Sequence, residues 1–264
     1  MASRMGAEVA MAACLGEDSF GDDYFAHLGR EGVGRGWIHR SPEAATGVAQ
    51  ICVDDQGGNF ITIVPGANHL LSPAAAAEAV RACGATAAVM LCQLEALHET
   101  TLEALRAAKE AGMFTILNPA PATAALPDCF LELSDVVVPN ETELALLCQG
   151  GDVDPETDEG VAAGARELLE RGARNVIVTL GERGSLLASP AAAAAGGTAE
   201  AAGGGGSPDG PRQPPARLQR FPAQSVPGEA VVDTVGAGDC FLGALAAYVS
   251  RGMGLAEAVP RAGR

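Results

Sequence analysis

Short apolar runs and longer stretches of helical periodicity alternate along most of the chain. The apolar runs, which are typical of buried strands, lie at 8–14, 87–92, 114–117, 135–138 and 175–180. Apolar residues at helical spacing occupy 20–31, 73–82, 100–111, 141–147 and 160–171. This β-α alternation predicts an α/β fold with a doubly wound, mostly parallel sheet. Ligands of such folds bind beyond the carboxyl ends of the strands.

Other segments depart from the alternation. Two apolar runs flank D-D-Q-G-G at 54–58, which predicts a β-hairpin over about 48–64. Further short strands are predicted at 37–40, 184–189 and 217–221, and the first residues resemble the tail of a helix. Residues 191–215 are mainly Ala, Gly and Pro and cannot repay their ordering entropy. They are therefore predicted to form a disordered insertion within one domain spanning 1–264.

Charge and cysteine content narrow the classes of partner and compartment. The chain has 17 Lys and Arg against 33 Asp and Glu, for a net charge of −16, which argues against nucleic acid and anionic membranes. Because basic residues are few, a phosphate-binding site in this chain would have to rely on backbone N–H groups and a divalent cation. The seven cysteines show no metal-ligand spacing, so free thiols in a reducing compartment are expected. With no signal-peptide or bilayer-spanning run, the sequence favours a soluble cytoplasmic protein, with the nucleus as a second compartment.

The stretch V-V-D-T-V-G-A-G-D-C-F-L-G at 231–243 carries the most specific chemistry. It predicts a strand, a glycine-rich turn and a helix, and a helix N-terminus attracts anions such as phosphate. Asp239 stands where that anion would bind, which is costly unless its carboxylate accepts a proton from an attacking hydroxyl. The alternative is that Asp239 only caps the helix.

The complete string D-T-x-G-A-G-D-x-F resembles the C-terminal signature of the ribokinase-like (PfkB) carbohydrate kinases. The resemblance implies that the backbone of Gly236, Ala237 and Gly238 forms an anion hole for the transferred phosphoryl group. It also implies that Asp239 is the catalytic base and contacts the substrate hydroxyl. Asp233 and Val235 match the pair whose oxygens help to hold K⁺; alternatively, Asp233 satisfies N–H groups of the turn.

Two further strings match nucleotide-binding segments of this family. T-L-G-E-R-G could be a plain hairpin turn, but it resembles a loop that wraps ATP and comprises Thr179, Leu180, Gly181, Glu182, Arg183 and Gly184. Asn140 and Glu143 of P-N-E-T-E predict a helix capping box. They also resemble the N-x-x-E motif, in which Asn140 would contact nucleotide phosphate and Glu143 would orient hydrated Mg²⁺. Both interpretations can hold together, and Gly238 would also contact ATP.

The acceptor is indicated by Q-L-E at 93–95 and N-P-A-P-A at 118–122, which resemble the family members that phosphorylate ribose. Glu95 would then hold sugar hydroxyls; otherwise it is only a helix-start residue. The implied reaction is ATP-dependent phosphorylation of D-ribose at its primary hydroxyl, giving ribose 5-phosphate. Two alternatives are a kinase for another sugar or a nucleoside, and a catalytically impaired, non-enzymatic fragment.

The family pattern also includes segments without a counterpart in this sequence. Family members begin earlier, with a central strand bearing N-x-D and a G-G-K-G-A-N loop, and continue further, with an N-x-x-A-A-x-S-V helix. We therefore expect a chain truncated at both ends, with an incomplete sugar floor and adenine wall and two exposed strand edges. The hairpin over 48–64 matches a lid that pairs with a second subunit, and the homodimer is expected to be weakened.

Overall fold

The computed structural model describes residues 1–53, 59–124, 126–148, 153–191, 216–224 and 235–263. Its strands are β1 (Val9–Gly16), β2 (Val33–Ser41), β3 (Val48–Val53), β4 (Asn59–Val64), β5 (Val89–Cys92), β6 (Phe114–Leu117), β7 (Val136–Val137), β8 (Val176–Thr179), β9 (Ser185–Pro190) and β10 (Ala216–Phe221). Its α-helices are α1 (Ser19–Arg30), α2 (Pro73–Cys83), α3 (His98–Glu110), α4 (Asp128–Glu132), α5 (Glu141–Leu147), α6 (Asp158–Glu170), α7 (Ala237–Val249) and α8 (Leu255–Ala262). Single 3₁₀ turns lie at Ser3–Met5, Gly66–Leu70 and Gly181–Arg183.

Among the described residues, the main sheet has six strands in the order β10-β9-β8-β7-β6-β5. Strands β5 to β8 pair in parallel, whereas β9 and β10 add an antiparallel edge. The predicted α/β, mostly parallel fold is therefore confirmed. Since the parallel strands end on the same edge of the sheet, the segments that follow them lie side by side.

Successive side chains of the central strands point to opposite faces, and both faces are buried. Leu117, Val137 and Val178 pack on one face in the core that includes buried residues of α3 to α6. Ile116 and Val136 pack on the other face with buried residues of α7 and α8. Burial on both sides explains why these strands read as continuous apolar runs rather than as alternating patterns.

Strands β1 and β2 form a separate parallel pair. Within the described residues no hydrogen-bonded ladder joins β1 to β5, although Cys14 of β1 belongs to a buried cluster against which Met90 of β5 packs. Strand β2 is longer than the predicted strand over 37–40, because pairing with β1 extends the strand through glycines that disfavour it locally.

The predicted hairpin is present as the antiparallel pair β3–β4; its turn, 54–58, lies outside the described residues. Its base is held by Asp18, whose carboxylate accepts hydrogen bonds from the Thr46 backbone N–H (2.7 Å) and hydroxyl (2.7 Å). Gly66 has a φ of +51°, and a Cβ there would lie 2.3 Å from the Ala45 carbonyl oxygen. The close approach of residue 66 to residue 45 at the base of the hairpin therefore requires glycine.

Other sequence-based expectations have mixed outcomes. The start forms a 3₁₀ turn at Ser3–Met5 that contacts α7. Helices α4 and α8 had no predicted counterpart: α4 has only five residues, and α8 contains Pro260, which disfavours a helix locally. The insertion predicted over 191–215 lies, apart from Ala191, outside the described residues, as does the strand predicted at Val231 and Val232. No helix in the described part of the chain is long and apolar enough to cross a membrane.

Candidate active site

A cavity of about 180 Å³ lies where the carboxyl ends of β6, β7 and β8 meet the N-terminus of α7. Each of the three strands contributes the residue that ends it or follows it. The cavity is lined by Asn118, Ala120, Val138, Asn140, Glu143, Thr179, Gly236, Gly238, Asp239, Phe241 and Leu242. The structure thus brings together residues from motifs that are far apart in the sequence.

The first turn of α7 forms one wall. Gly236 precedes the helix with a φ of +73°, a left-handed conformation that favours glycine, and Asp239 lies exposed in the first turn. A Cβ added at Gly236 or Gly238 would meet no heavy atom within 4 Å, so open space adjoins the backbone here. The first N–H groups of a helix have no intrahelical partner and carry the positive end of its dipole. This wall therefore suits a phosphoryl group.

The N-terminus of α5 also lines the cavity, and the predicted capping box is confirmed there. The Glu143 backbone N–H donates to Asn140 Oδ1 (2.8 Å), and the Asn140 backbone N–H donates to Glu143 Oε2 (2.9 Å). The Asn140 side-chain amide also donates to Glu143 Oε1 (2.9 Å). These bonds fix the Glu143 carboxylate at the rim of the cavity.

Burial raises the pKa of the half-buried Glu143 carboxyl above its ordinary value, and the N–H of Asn140 and the amide of Asn118 offset this only in part. Asn118 donates to the Val138 carbonyl (2.8 Å) and lies 3.5 Å from Glu143 Oε2. A carboxylate held by amides in the same cavity as the N-terminus of α7 has the oxygen donor that hydrated Mg²⁺ prefers. The residues present therefore fit the metal that the sequence implies.

Thr179 is the member of the T-L-G-E-R-G loop that reaches the cavity. Its backbone N–H donates to the Pro139 carbonyl (3.0 Å), and it forms a parallel bridge with Asn140. Gly181 has a φ of +52° and Gly184 one of +87°, and a Cβ at Gly184 would lie 2.0 Å from the Phe221 carbonyl oxygen. The loop is thus a tight turn between antiparallel β8 and β9, as the simpler interpretation predicted.

The remaining residues of this loop lie outside the cavity lining. Leu180 is buried in the core, and its backbone N–H donates to the Gly184 carbonyl (2.8 Å). Glu182 is exposed, and Arg183 is bonded to Glu141 of α5. The structure therefore does not bring the side chains of these three residues to the wall formed by α7.

The predicted sugar and potassium residues lie elsewhere. Glu95 follows β5 on the same edge of the sheet, but it is exposed and does not line the cavity. Val235 precedes the turn of Gly236 and is 46% exposed. Asp233 lies outside the described residues. Both roles stay predictions.

Sequence reasoning missed part of the lining. Asn118, Ala120, Val138, Phe241 and Leu242 all contribute to the cavity without having been assigned a role. For Asn118 a signal existed, since it opens the N-P-A-P-A string after a predicted strand. Val138, Phe241 and Leu242 read as ordinary core positions, and only their position in the fold shows that they border the cavity.

None of the seven cysteines lines the cavity. All seven are free thiols, and burial raises the pKa of Cys92 to about 12. Cys240 is exposed beside Asp239. Among the described residues no group of three or more His, Cys, Asp or Glu side chains could hold a metal ion by itself.

Comparisons with known proteins show what this chain is similar to. The chain is 36% identical to a ribokinase from Mus musculus over 251 residues, which covers 94% of this chain and 68% of the relative. It is 33% identical to a deoxyribokinase from Salmonella typhi, over 94% of this chain and 70% of the relative. Among solved structures, Arabidopsis thaliana ribokinase complexed with ribose and ATP superposes with a TM-score of 0.76 at 26% identity, covering 99% of this chain and 75% of that one.

The model of the pfkB family carbohydrate kinases matches residues 1–264. The likeness to the solved ribokinase extends over nearly the whole chain. In this chain, the cavity lies where the P-N-E-T-E, T-L-G-E-R-G and G-A-G-D motifs meet. By fold, motifs and family match, the chain belongs to the pfkB family carbohydrate kinases.

Proposed function

We propose that this protein transfers the γ-phosphoryl group of ATP to the primary hydroxyl of D-ribose. The observation that carries the proposal is the cavity that Asn140, Glu143 and Thr179 line together with Gly236, Gly238 and Asp239. It thus combines the groups expected to hold the nucleotide with a helix N-terminus suited to an anion and the exposed carboxylate of Asp239. The ribokinases among the relatives support the sugar.

Asp239 is proposed as the base. Its carboxylate accepts the proton of the ribose primary hydroxyl while that oxygen forms a bond to the γ-phosphorus. The bond from the γ-phosphorus to the β–γ bridging oxygen breaks, and ADP leaves with that electron pair. The exposed position of Asp239 in the first turn of α7 supports this role, because a hydroxyl can approach its carboxylate from the open side.

The backbone from Gly236 to Gly238 is proposed to stabilise the charge of the transferring phosphoryl group. N–H groups that are already oriented do not have to reorganise as charge develops, so they lower the barrier more than water does. The open space beside Gly236 and Gly238 supports this assignment, because a larger side chain would occupy the place of a phosphoryl oxygen.

The nucleotide is proposed to bind with Mg²⁺, which, when bound, neutralises phosphate charge and polarises the γ-phosphorus. Glu143 would hold the metal through water, and Asn140 would contact a phosphate. Thr179, Gly181 and Gly184 would contact the nucleotide, mostly through backbone groups. The amide-held Glu143 carboxylate supports the metal assignment.

Three finer points belong to the same proposal. Glu95 would bind ribose hydroxyls, which its exposed place after β5 allows. Asp233 and Val235 would supply oxygens for activating K⁺. The protein would act in the cytoplasm, with the nucleus as a second compartment, and would form a weak homodimer through β3–β4.

A second acceptor is favoured by one observation, the 33% identity to a deoxyribokinase. Because ribose and deoxyribose both present a primary hydroxyl, the same base and anion hole could serve either. The test is ADP formation by the purified chain with Mg²⁺ and K⁺, offering ribose, 2-deoxyribose, fructose and adenosine separately. Ribose should give the highest kcat/KM; faster turnover of another acceptor would reassign the substrate, and folded protein without any turnover would favour the non-enzymatic alternative.

A further inference from the structure

The Arg183 side chain joins three segments of the chain near the cavity. Its Nη2 donates to Glu141 Oε1 at the N-terminus of α5 and to the Pro155 carbonyl (2.6 Å). Its Nη1 donates to the Glu156 carbonyl (2.7 Å) and lies 3.7 Å from Asp158 Oδ1 in α6. One guanidinium thus connects the β8–β9 loop with α5 and with the turn before α6.

These partners leave Arg183 little capacity to bind phosphate. A guanidinium has five N–H donors, and four of them lie on the two nitrogens that are already engaged. A phosphate brought to the side chain would also approach the carboxylates of Glu141 and Asp158, which would repel it. Arg183 is absent from the lining of the cavity as well. The Arg183 side chain therefore binds other segments of the protein and does not contact the nucleotide directly.

The contact with Glu141 places Arg183 next to the residues that matter for the cavity. Glu141 is the first residue of α5, directly after Asn140, and Glu143 follows two positions later. On the other side, Arg183 belongs to the 3₁₀ turn whose preceding strand ends at Thr179. The ion pair therefore adds a side-chain link between the β8–β9 loop and the N-terminus of α5, next to the backbone bridge between Thr179 and Asn140.

We propose that Arg183 is a positioning residue that locks the β8–β9 loop to the N-terminus of α5 and so holds Asn140 and Glu143 in place for Mg-ATP. This inference rests on the proposed function, since it assigns a role within the same site. It differs from the direct ATP contact that the sequence motif implies. Arg183 acts on the cavity through Glu141, so loss of either partner should loosen the N-terminus of α5.

The test compares R183Q, E141Q and the double variant, with R81Q as a matched control. Arg81 of α2 is another ion-paired arginine, with a 53% exposed side chain that lies 3.4 Å from Glu110 of α3 and outside the cavity lining. R183Q and E141Q should each raise KM for ATP and the Mg²⁺ activation constant by about tenfold, with kcat and KM for ribose nearly unchanged. The double variant should match R183Q, because the interaction between Arg183 and Glu141 can be lost only once.

The opposite results would overturn the proposal. If R183Q weakens ATP binding while E141Q leaves it intact, Arg183 contacts the nucleotide directly. If R183Q lowers kcat and affects both substrates equally, the change is a general loss of structure.

R183K should restore part of the ATP affinity, because lysine keeps the charge for Glu141 but lacks the planar guanidinium that bonds the two carbonyls.

A second readout separates failure of this inference from failure of the proposed function. Hydrogen exchange of the full chain without nucleotide should rise in R183Q at 141–144 and 181–184, and remain at the wild-type rate in α7. Unchanged exchange at 141–144 would overturn the positioning role even in a chain that turns over no ATP. A wild-type chain without turnover, but with the expected exchange, would reject the proposed function alone.

Discussion

At the scale of single residues, Glu143 shows how a carboxylate that caps a helix can stay available to a ligand. The same oxygens that accept the N–H groups of Asn140 lie at the rim of the cavity. Capping and metal binding therefore do not compete, because a carboxylate has about four lone-pair sites and the capping bonds leave some of them unused. Such double use explains why the sequence supported both interpretations.

Glu143 also predicts a pH dependence. Burial raises the pKa of its carboxyl above the ordinary 4.5, so protonation begins at a higher pH than for an exposed glutamate. Since only the carboxylate attracts a hydrated cation, the Mg²⁺ activation constant should increase as the pH falls toward this raised pKa. Measuring that constant from pH 8 downward checks the prediction. E143Q should show a weak, pH-independent response to Mg²⁺; an unaltered pH profile in E143Q would contradict the assignment.

Asp239 carries the second prediction at this scale. Replacing it with asparagine keeps the shape but removes the base, so kcat should fall by roughly 10²–10⁴-fold, as is typical for general bases. ATP affinity, measured by calorimetry, should change little. D128N, which alters an exposed aspartate near the start of α4, is the control and should retain activity. Retention of most of the rate by D239N would place the base elsewhere.

At the scale of elements, a buried carboxylate joins three parts of the sheet layer. Asp135 precedes β7, accepts the Thr115 backbone N–H of β6 (2.9 Å) and pairs with Lys109 of α3 (2.8 Å). Burial acts to raise the pKa of Asp135, but the hydrogen bond and charge of Lys109, with the bonds from Thr115, lower it overall. These contacts of Asp135 set the position of β7, the short central strand that precedes Asn140.

The corresponding prediction concerns stability. D135N should lower the free energy of unfolding at pH 7 by about 1–3 kcal/mol, since it leaves Lys109 and Thr115 poorly satisfied. Because the folded-state pKa is depressed, this contribution is present above the ordinary value of 3.8 and is lost as pH falls through the folded value. The difference between wild type and D135N in urea unfolding should therefore shrink below about pH 4. D22N, an ion-paired aspartate with a 73% exposed side chain, should change stability far less.

At the scale of the whole molecule, the insertion predicted over 191–215 connects β9 and β10, two strands that are paired with each other. Ala216 of β10 lies opposite Pro190 of β9, so a short turn can join them. Deleting 191–215 in favour of such a turn should stabilise the chain slightly, by roughly 0.6 kcal/mol per halving of loop length. Thermal unfolding and ATP turnover check this. Weaker ATP binding after deletion would instead assign the insertion to the active site, as would protection of a tryptic cut at Arg212 by ATP.

Association through the β3–β4 hairpin is the second prediction at this scale. The hairpin exposes Val48, Ile51, Ile63 and Val64, and two strands alone are marginally stable in water. We expect mainly monomers at low micromolar concentration and dimers at higher concentration, measured by sedimentation velocity. I51D should abolish the dimer, whereas R106D on the far helix α3 should leave it unchanged. A stable dimer at low micromolar concentration would show that the interface is stronger than proposed.

The sequence by itself determined the class of fold, most helix and strand positions, the capping box and the family. All of these depend on signals within a few residues: apolar periods, caps and the compact G-A-G-D string. The same locality explains its errors. The strand predicted at 37–40 is shorter than β2, because the length of β2 depends on pairing with β1. Helix α4 was missed because it spans one short turn.

Only the tertiary structure decided which motif residues meet. It placed Asn118 beside Glu143, buried Leu180 in the core, and directed Arg183 toward Glu141 and the turn before α6 rather than into the cavity. A motif string specifies residue types and spacing, but not where a side chain points. That direction is set by partners distant in the sequence, whose carboxylates and carbonyls come within hydrogen-bond reach only after the sheet has brought β6, β7 and β8 together.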